Sequence, residues 1–201
     1  HHHDFTVWEH IARTVGHIAP RTDLRMTMLF HDIAKPQCFT MDARGGHFKG
    51  HAELGAKAAD RILRRLKCDN RTRERVCRLI EWHRMTPDTL YRTRLLKGIL
   101  GEEELRLFLQ VLDADRISKL RGEPESRSRI DRAEALLGYC IEHQLCCTVQ
   151  ELDFHGDEAE AMGLKGPEIG QALNAMLEEV LHGVLPNEHE ALRQWLEEYS
   201  G

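Results

Sequence analysis

No apolar run in the 201 residues approaches the roughly 18–20 that a membrane-spanning helix needs. No secretory leader pattern opens the chain either, so neither a membrane partner nor export is expected. Cysteine occurs six times but never as Cys-x-x-Cys: Cys38, Cys68, Cys77 and Cys140 are scattered, and Cys146 and Cys147 are adjacent. Metal-knuckle spacing is therefore absent, a disulfide framework is not expected, and a reducing cytoplasm is the fitting compartment. An excess of positive charge is also lacking. The net charge of −5 argues against holding nucleic acid by bulk field alone. It leaves room for a local basic face, since Arg61, Arg64, Arg65, Lys67, Arg71, Arg73, Arg75 and Arg78 lie close together, as do Arg116, Lys119, Arg121, Arg127, Arg129 and Arg132. Solvated helix faces paired with nearby acids are the simpler reading of both groups; a phosphate-backbone surface is the alternative. The opening His1-His2-His3 is either a tag remnant or native, and is left out of the site.

Period-2 alternation longer than a few residues is missing too, and helical spacing takes its place. The fold expected is all-α, a helical bundle over 1–150 with a small C-terminal helical extension over 151–201. Asp4 can cap a helix to His17, and Thr22 or Asp23 the next, where Leu24, Met28, Leu29 and Ile33 form a stripe. Pro36 ends that helix, and Gly45-Gly46 marks a turn in an irregular stretch from Gln37 to Lys49. Periodicity resumes from His51 to Leu66, and Asn70 can cap a helix to His83. Further helices run from Thr89 to a stop at Gly101, from Glu102 to Leu120, and from Ser126 or Ser128 to Gln144. Phe154-His155-Gly156-Asp157 reads as a turn into a short helix, Pro167 as the first turn of another, and Asn187 as the cap of a last one. Trp8, Trp82 and Trp195 read as core or interface aromatics. His17, His143, His155, His182 and His189 read as surface or packing residues.

His31-Asp32 follows the core-like run Met26-Thr27-Met28-Leu29-Phe30, so the pair sits where a helix leaves the core. Taken alone, a His-Asp dipeptide means little. Its meaning comes from His10 one helix earlier, His51 at the start of the third helix, His83 at the end of the fourth and Asp115 in a later one. Each has an ordinary explanation by itself: a helix-surface histidine, a helix-end dipole partner, a salt bridge to Arg116 or Lys119. As a set they are the neutral imidazoles and carboxylates that hold a divalent first-row ion, drawn from separate helices onto one cavity. Two choices are close. His51 is preferred over His47 because a helix start is more rigid than a loop beside two glycines. Asp115 is preferred over Asp113; two residues apart on a helix, they face different ways.

The order His10, His31-Asp32, His51, His83, Asp115 resembles the HD superfamily of metal-dependent phosphohydrolases. The resemblance implies that His10, His31, Asp32 and Asp115 hold one ion. It implies that His51 and His83 recruit a second, with Asp32 bridging. The segments His31-Asp32-Ile33-Ala34-Lys35-Pro36, Thr40, Gly46-His47-Phe48-Lys49-Gly50-His51 and Gly55-Ala56 are similar to the HD region of bacterial CCA-adding tRNA nucleotidyltransferases. Phe154-His155-Gly156-Asp157, Gly166-Pro167-Glu168-Ile169-Gly170 and Leu185-Pro186-Asn187 resemble the tail of the same proteins. Ile11 departs from the Thr common there. No Gly-Ser followed by Asp-x-Asp is found, so CCA addition is not expected of this chain alone; a free-standing relative or a C-terminal portion is.

The activity expected is hydrolysis of a phosphomonoester or phosphodiester on a nucleotide or RNA end. One or two divalent ions would serve it, Mn, Fe, Ni, Co or Zn, with Mg a further candidate. Asp32 would orient or deprotonate the attacking water, and Lys35 would contact phosphate. Arg84 is the next substrate-binding candidate, with Arg44 and Lys49 behind it. Two alternatives stand: a noncatalytic tRNA-binding body, and a dinucleoside polyphosphate hydrolase.

Overall fold

The computed structural model describes residues 6–43, 45–118 and 124–199, with backbone only for 124–126. The fold is all-α. Its helices are α1 (Val7–His17), α2 (Thr22–Phe30), α3 (His51–Arg65), α4 (Asn70–Trp82), α5 (Leu90–Ile117), α6 (Pro124–Glu142), α7 (Gly156–Ala161), α8 (Pro167–His182) and α9 (His189–Tyr199). All six cysteines are free thiols. The chain forms two compact units, 1–88 with 102–134, and 89–101 with 135–201.

In the first unit the helices begin where local chemistry satisfies their free N–H groups. Thr6 caps α1: its hydroxyl accepts from Glu9 N at 3.2 Å, and the Glu9 carboxylate takes Thr6 N at 2.8 Å. The expected cap, Asp4, lies outside the described residues. Neither Thr22 nor Asp23 caps α2, whose N-cap is Arg21 without a side-chain bond. Asp23 is instead held by Arg21 Nη2 at 2.8 Å and by buried Arg75 Nη1 at 3.0 Å. Asp69, not Asn70, caps α4 by accepting from Thr72 N at 2.9 Å.

Helices α2, α3 and α4 close a core of Phe30, Ala56, Ala59, Leu63, Val76 and Ile80. The small residues on α3 let it approach α2 closely. A Cβ at Gly55 would sit 3.6 Å from the His31 carbonyl oxygen. That approach brings the start of α3 against the end of α2. Leu29 and Trp8 stay at 39% and 70% exposure, so Trp8 is a surface residue and not the core or interface aromatic expected. Between α2 and α3 the irregular stretch contains a 3-10 turn (Lys35–Cys38) and a small antiparallel hairpin, β1 (Thr40–Asp42) and β2 (Gly45–His47), with Thr40 opposite His47.

Helix α5 is broken at Gly101, whose φ of 77° and ψ of 165° are non-helical, at the expected stop. The chain passes between its two units there and again within α6. The second unit therefore takes in residues 89–101 and 135–150, a grouping different from the 150/151 boundary read from sequence. Buried Arg94 shows why: its guanidinium donates to the Cys146 carbonyl at 2.9 and 2.6 Å and to Val180 O at 2.6 Å. The core of this unit likewise joins Cys146 to Phe154, Met176 and Leu192. Helix α6 starts at Pro124, ahead of Ser126 and Ser128, in the first-turn position where a missing N–H costs nothing. Asn187 does not cap α9. Its amide bridges Asp153 N and Glu151 O, each at 3.0 Å, while the Asp153 carboxylate takes His189 N at 3.1 Å.

Candidate metal centre

The first unit gathers all six candidate ligands at one place. His10 comes from α1, and His31 and Asp32 from the end of α2. His51 opens α3, His83 follows α4, and Asp115 lies in the second part of α5. His31, Asp32 and His51 are each 1% exposed, which is unusual for groups of this polarity.

Asp32 stands between two groups. Its Oδ2 is 3.2 Å from His31 Nε2 and 3.6 Å from His10 Nε2. Its Oδ1 is 3.4 Å from His51 Nε2 and 3.7 Å from His83 Nε2. Asp115 Oδ1 closes the first group, 2.9 Å from His10 Nε2 and 3.6 Å from His31 Nε2. The triads His10–His31–Asp32 and Asp32–His51–His83 each have the spread to hold a metal ion.

Backbone carbonyls fix the direction of three rings. His31 Nδ1 donates to Met28 O at 2.7 Å, His51 Nδ1 to Phe48 O at 2.5 Å, and His83 Nδ1 to Ile80 O at 2.6 Å. A carbonyl only accepts, so each Nδ1 carries the proton, and each ring, once neutral, turns an Nε2 lone pair inward. This is the tautomer a metal ligand needs. Asp32 Oδ1 is buried with no hydrogen-bond partner among the described residues. An orphaned carboxylate oxygen facing two imine nitrogens is costly unless a cation lies among them. The donor set therefore fits a divalent ion.

Electrostatics point the same way. Burial pulls the His31 imidazolium down, but Asp115 and Asp32 outweigh it and lift its pKa from 6.5 to about 9. Burial works against the Asp32 carboxylate as well, yet His31, through its hydrogen bond and charge, leads the interactions that hold it far below the usual range. His83 moves the other way: burial lowers its pKa more than Asp32 raises it. Negative charge is thus held in the centre, and positive charge is drawn to it.

The close alternatives separate. His47 Nε2 pairs with Asp42 at 3.0 Å in the hairpin, whereas His51 joins the cluster. Asp113 accepts from Arg116 Nη2 at 2.9 Å, whereas Asp115 reaches His10. Lys35 Nζ lies 2.6 Å from Asp32 Oδ2. Arg84 is exposed directly after His83, Lys49 is exposed two residues before His51, and Arg44 lies outside the described residues. Sequence reasoning missed the carbonyls of Met28, Phe48 and Ile80. Their one trace is position: His31 and His83 each sit just past a helix end, where carbonyls lack intrahelical partners.

Known proteins place this chain in a family. The family described as "tRNA nucleotidyltransferase domain 2 putative" matches residues 50–196. A CC-adding tRNA nucleotidyltransferase of Thermus thermophilus is 32% identical over 199 residues, covering 94% of this chain and 44% of that protein. An A-adding tRNA nucleotidyltransferase of Deinococcus radiodurans is 30% identical over 218 residues, covering 99% of this chain and 49% of that protein. The chain thus spans under half the length of these curated relatives. No solved structure matches it significantly. A match over most of the chain, joined to likeness with two such enzymes, shows that the chain belongs to the tRNA nucleotidyltransferase domain 2 family.

Proposed function

We propose that the His/Asp centre is an HD-type phosphohydrolase site, set in the body of a tRNA nucleotidyltransferase-like protein and acting on nucleotides or RNA ends. One observation carries the reading: three rings locked with Nε2 inward surround a buried Asp32 whose Oδ1 has no hydrogen-bond partner among the described residues. His10, His31, Asp32 and Asp115 would hold one divalent ion, and His51 and His83 a second shared through Asp32. When bound, such ions supply an acidified water and neutralise phosphate charge. The chain's own groups do the rest. Asp32 orients the attacking water. Lys35, at 2.6 Å from Asp32 Oδ2, is placed to move onto a non-bridging phosphate oxygen. Arg84 offers a second cation at the rim.

The test is metal analysis of the purified chain, followed by a substrate panel with Mn²⁺, Ni²⁺ or Co²⁺. Cyclic phosphates, mononucleotides and dinucleoside polyphosphates distinguish the substrate classes, including the dinucleoside polyphosphate alternative. Asp32→Asn is expected to abolish turnover. Activity that persists in this variant would overturn the assignment.

A second reading, a noncatalytic tRNA-binding body, has support of its own in the kinship with CC- and A-adding enzymes. It is helped by the tip of the α3–α4 pair. Arg61, Arg65, Lys67 and Arg71 are exposed there and form no ion pair among the described residues, while Arg64 and Arg73 are both paired with Asp60. Bound metal with no turnover on any phosphoester, together with tight tRNA binding, would favour this reading.

A further inference from the structure

We propose that Phe39 and Phe48 form a stacking platform beside the metal centre, so that the site takes phosphoesters carrying a planar base in preference to simple sugar phosphates. The inference rests on the phosphohydrolase reading above.

The two rings lie 5.5 Å apart and tilted by 46°. Neither is in the core: Phe39 is 50% exposed and Phe48 half-buried. Phe48 is tied to the centre directly, and Phe39 through its contact with Phe48. The Phe48 carbonyl holds His51 Nδ1, and its ring lies 5.7 Å from Lys35 Nζ, which rests on Asp32. A phosphate engaged by Lys35 and the centre therefore has an aromatic wall as its neighbour. The position of Phe39 is built in by the hairpin. A Cβ at Gly46 would meet Phe39 Cε2 at 2.7 Å, so the glycine leaves the space the ring occupies. Gly46 is not among the glycines with positive φ, which makes room for Phe39 the reason for glycine there. An exposed, pre-positioned aromatic beside a phosphate site is what a base can stack upon, and stacking tolerates any base because each has a π-face. Lys35, between phosphate and ring, adds a cation–π contact that helps hold Phe48 in place.

The experiment compares binding of adenosine 5′-monophosphate with ribose 5-phosphate, which keeps the phosphate and sugar but lacks the base. It uses the Mn²⁺-loaded full chain in a rapid-mixing format, so binding is read before turnover. Phe39→Ala should weaken nucleotide binding about tenfold and leave ribose 5-phosphate unchanged. Phe39→Trp should restore tight binding, with emission above the wild-type background quenched by the nucleotide and not by ribose 5-phosphate. Equal binding of the two ligands by wild type, or equal loss of both in Phe39→Ala, overturns the platform alone. If the loaded protein binds neither ligand, the phosphohydrolase reading fails and the platform with it.

Discussion

His51 and His83 face each other through their Nε2 atoms at 3.3 Å, with the Nδ1 of each ring already committed to a backbone carbonyl. In the neutral state two lone pairs oppose one another beside the orphaned Oδ1 of Asp32. A cation bound among the three would relieve the repulsion, which would couple folding to metal uptake at this point.

The first prediction follows directly. At a free metal concentration of about 100 times the dissociation constant, binding to the native state adds about 2.7 kcal/mol. For a chain of this size that is a rise in melting temperature of roughly 5–10 °C. Calorimetry with Mn²⁺ and then a chelator measures it. Asp32→Asn should remove the response, and a metal-induced rise preserved in that variant would place the ion elsewhere.

Acidity supplies the second. His31 has a folded pKa near 9, above its ordinary 6.5. Its stabilisation of the metal-free protein is therefore complete below pH 6.5 and disappears as pH rises through 9. Metal needs the deprotonated ring, so apparent affinity should climb by about tenfold per pH unit toward 9. The gap between melting temperatures with and without Mn²⁺ should widen from pH 6.5 to pH 9. A gap that stays constant would show that no proton leaves His31 on metal binding.

Two helical glycines should respond to alanine with opposite sign. In a helix interior alanine is favoured over glycine by about 1 kcal/mol. At Gly138, exposed on α6 with nothing within 4 Å of its Cβ position, that gain should appear. At Gly98, on α5, the Cβ would lie 2.1 Å from the Cys147 carbonyl oxygen, and backbone must move. Overpacking of this kind costs about 1–3 kcal/mol, enough to reverse the sign. Denaturant unfolding of the two variants decides, and a stabilised Gly98→Ala protein would refute that close approach.

The tip of α3 and α4 carries the fourth prediction. If its unpaired cations meet RNA phosphates, Arg65→Ala should lower the salt dependence of tRNA binding by about one unit in the log–log slope. Arg64→Ala should change the slope less, because Asp60 already pairs with Arg64 at 2.8 Å. Equal slopes for Arg65→Ala and wild type would return the tip to an ordinary solvated face.

Much of the bundle was legible because helical periodicity and breakers act over a few residues. Gly101, Pro167 and the start at His51 lie where local rules put them. Caps were harder. Thr6, Asp69 and distant Asp153 serve where Asp4, Asn70 and Asn187 were expected, and Asp23 is drawn off by an arginine 52 residues away. A cap depends on which of several polar neighbours reaches the free N–H groups, and long-range partners compete for the same oxygen.

The sequence by itself determined the all-helical character and the chemical identity of the six site residues, because both reside in residue type and spacing. The sequence preferred Asp115 to Asp113 and His51 to His47, but only the tertiary structure brings Asp115 and His51 to the cluster and ties Asp113 to Arg116 and His47 to Asp42. The tertiary structure also decided which ring nitrogen carries the proton: the carbonyls of Met28, Phe48 and Ile80 are backbone atoms that any residue would supply. Their direction comes from where each helix ends against its neighbours.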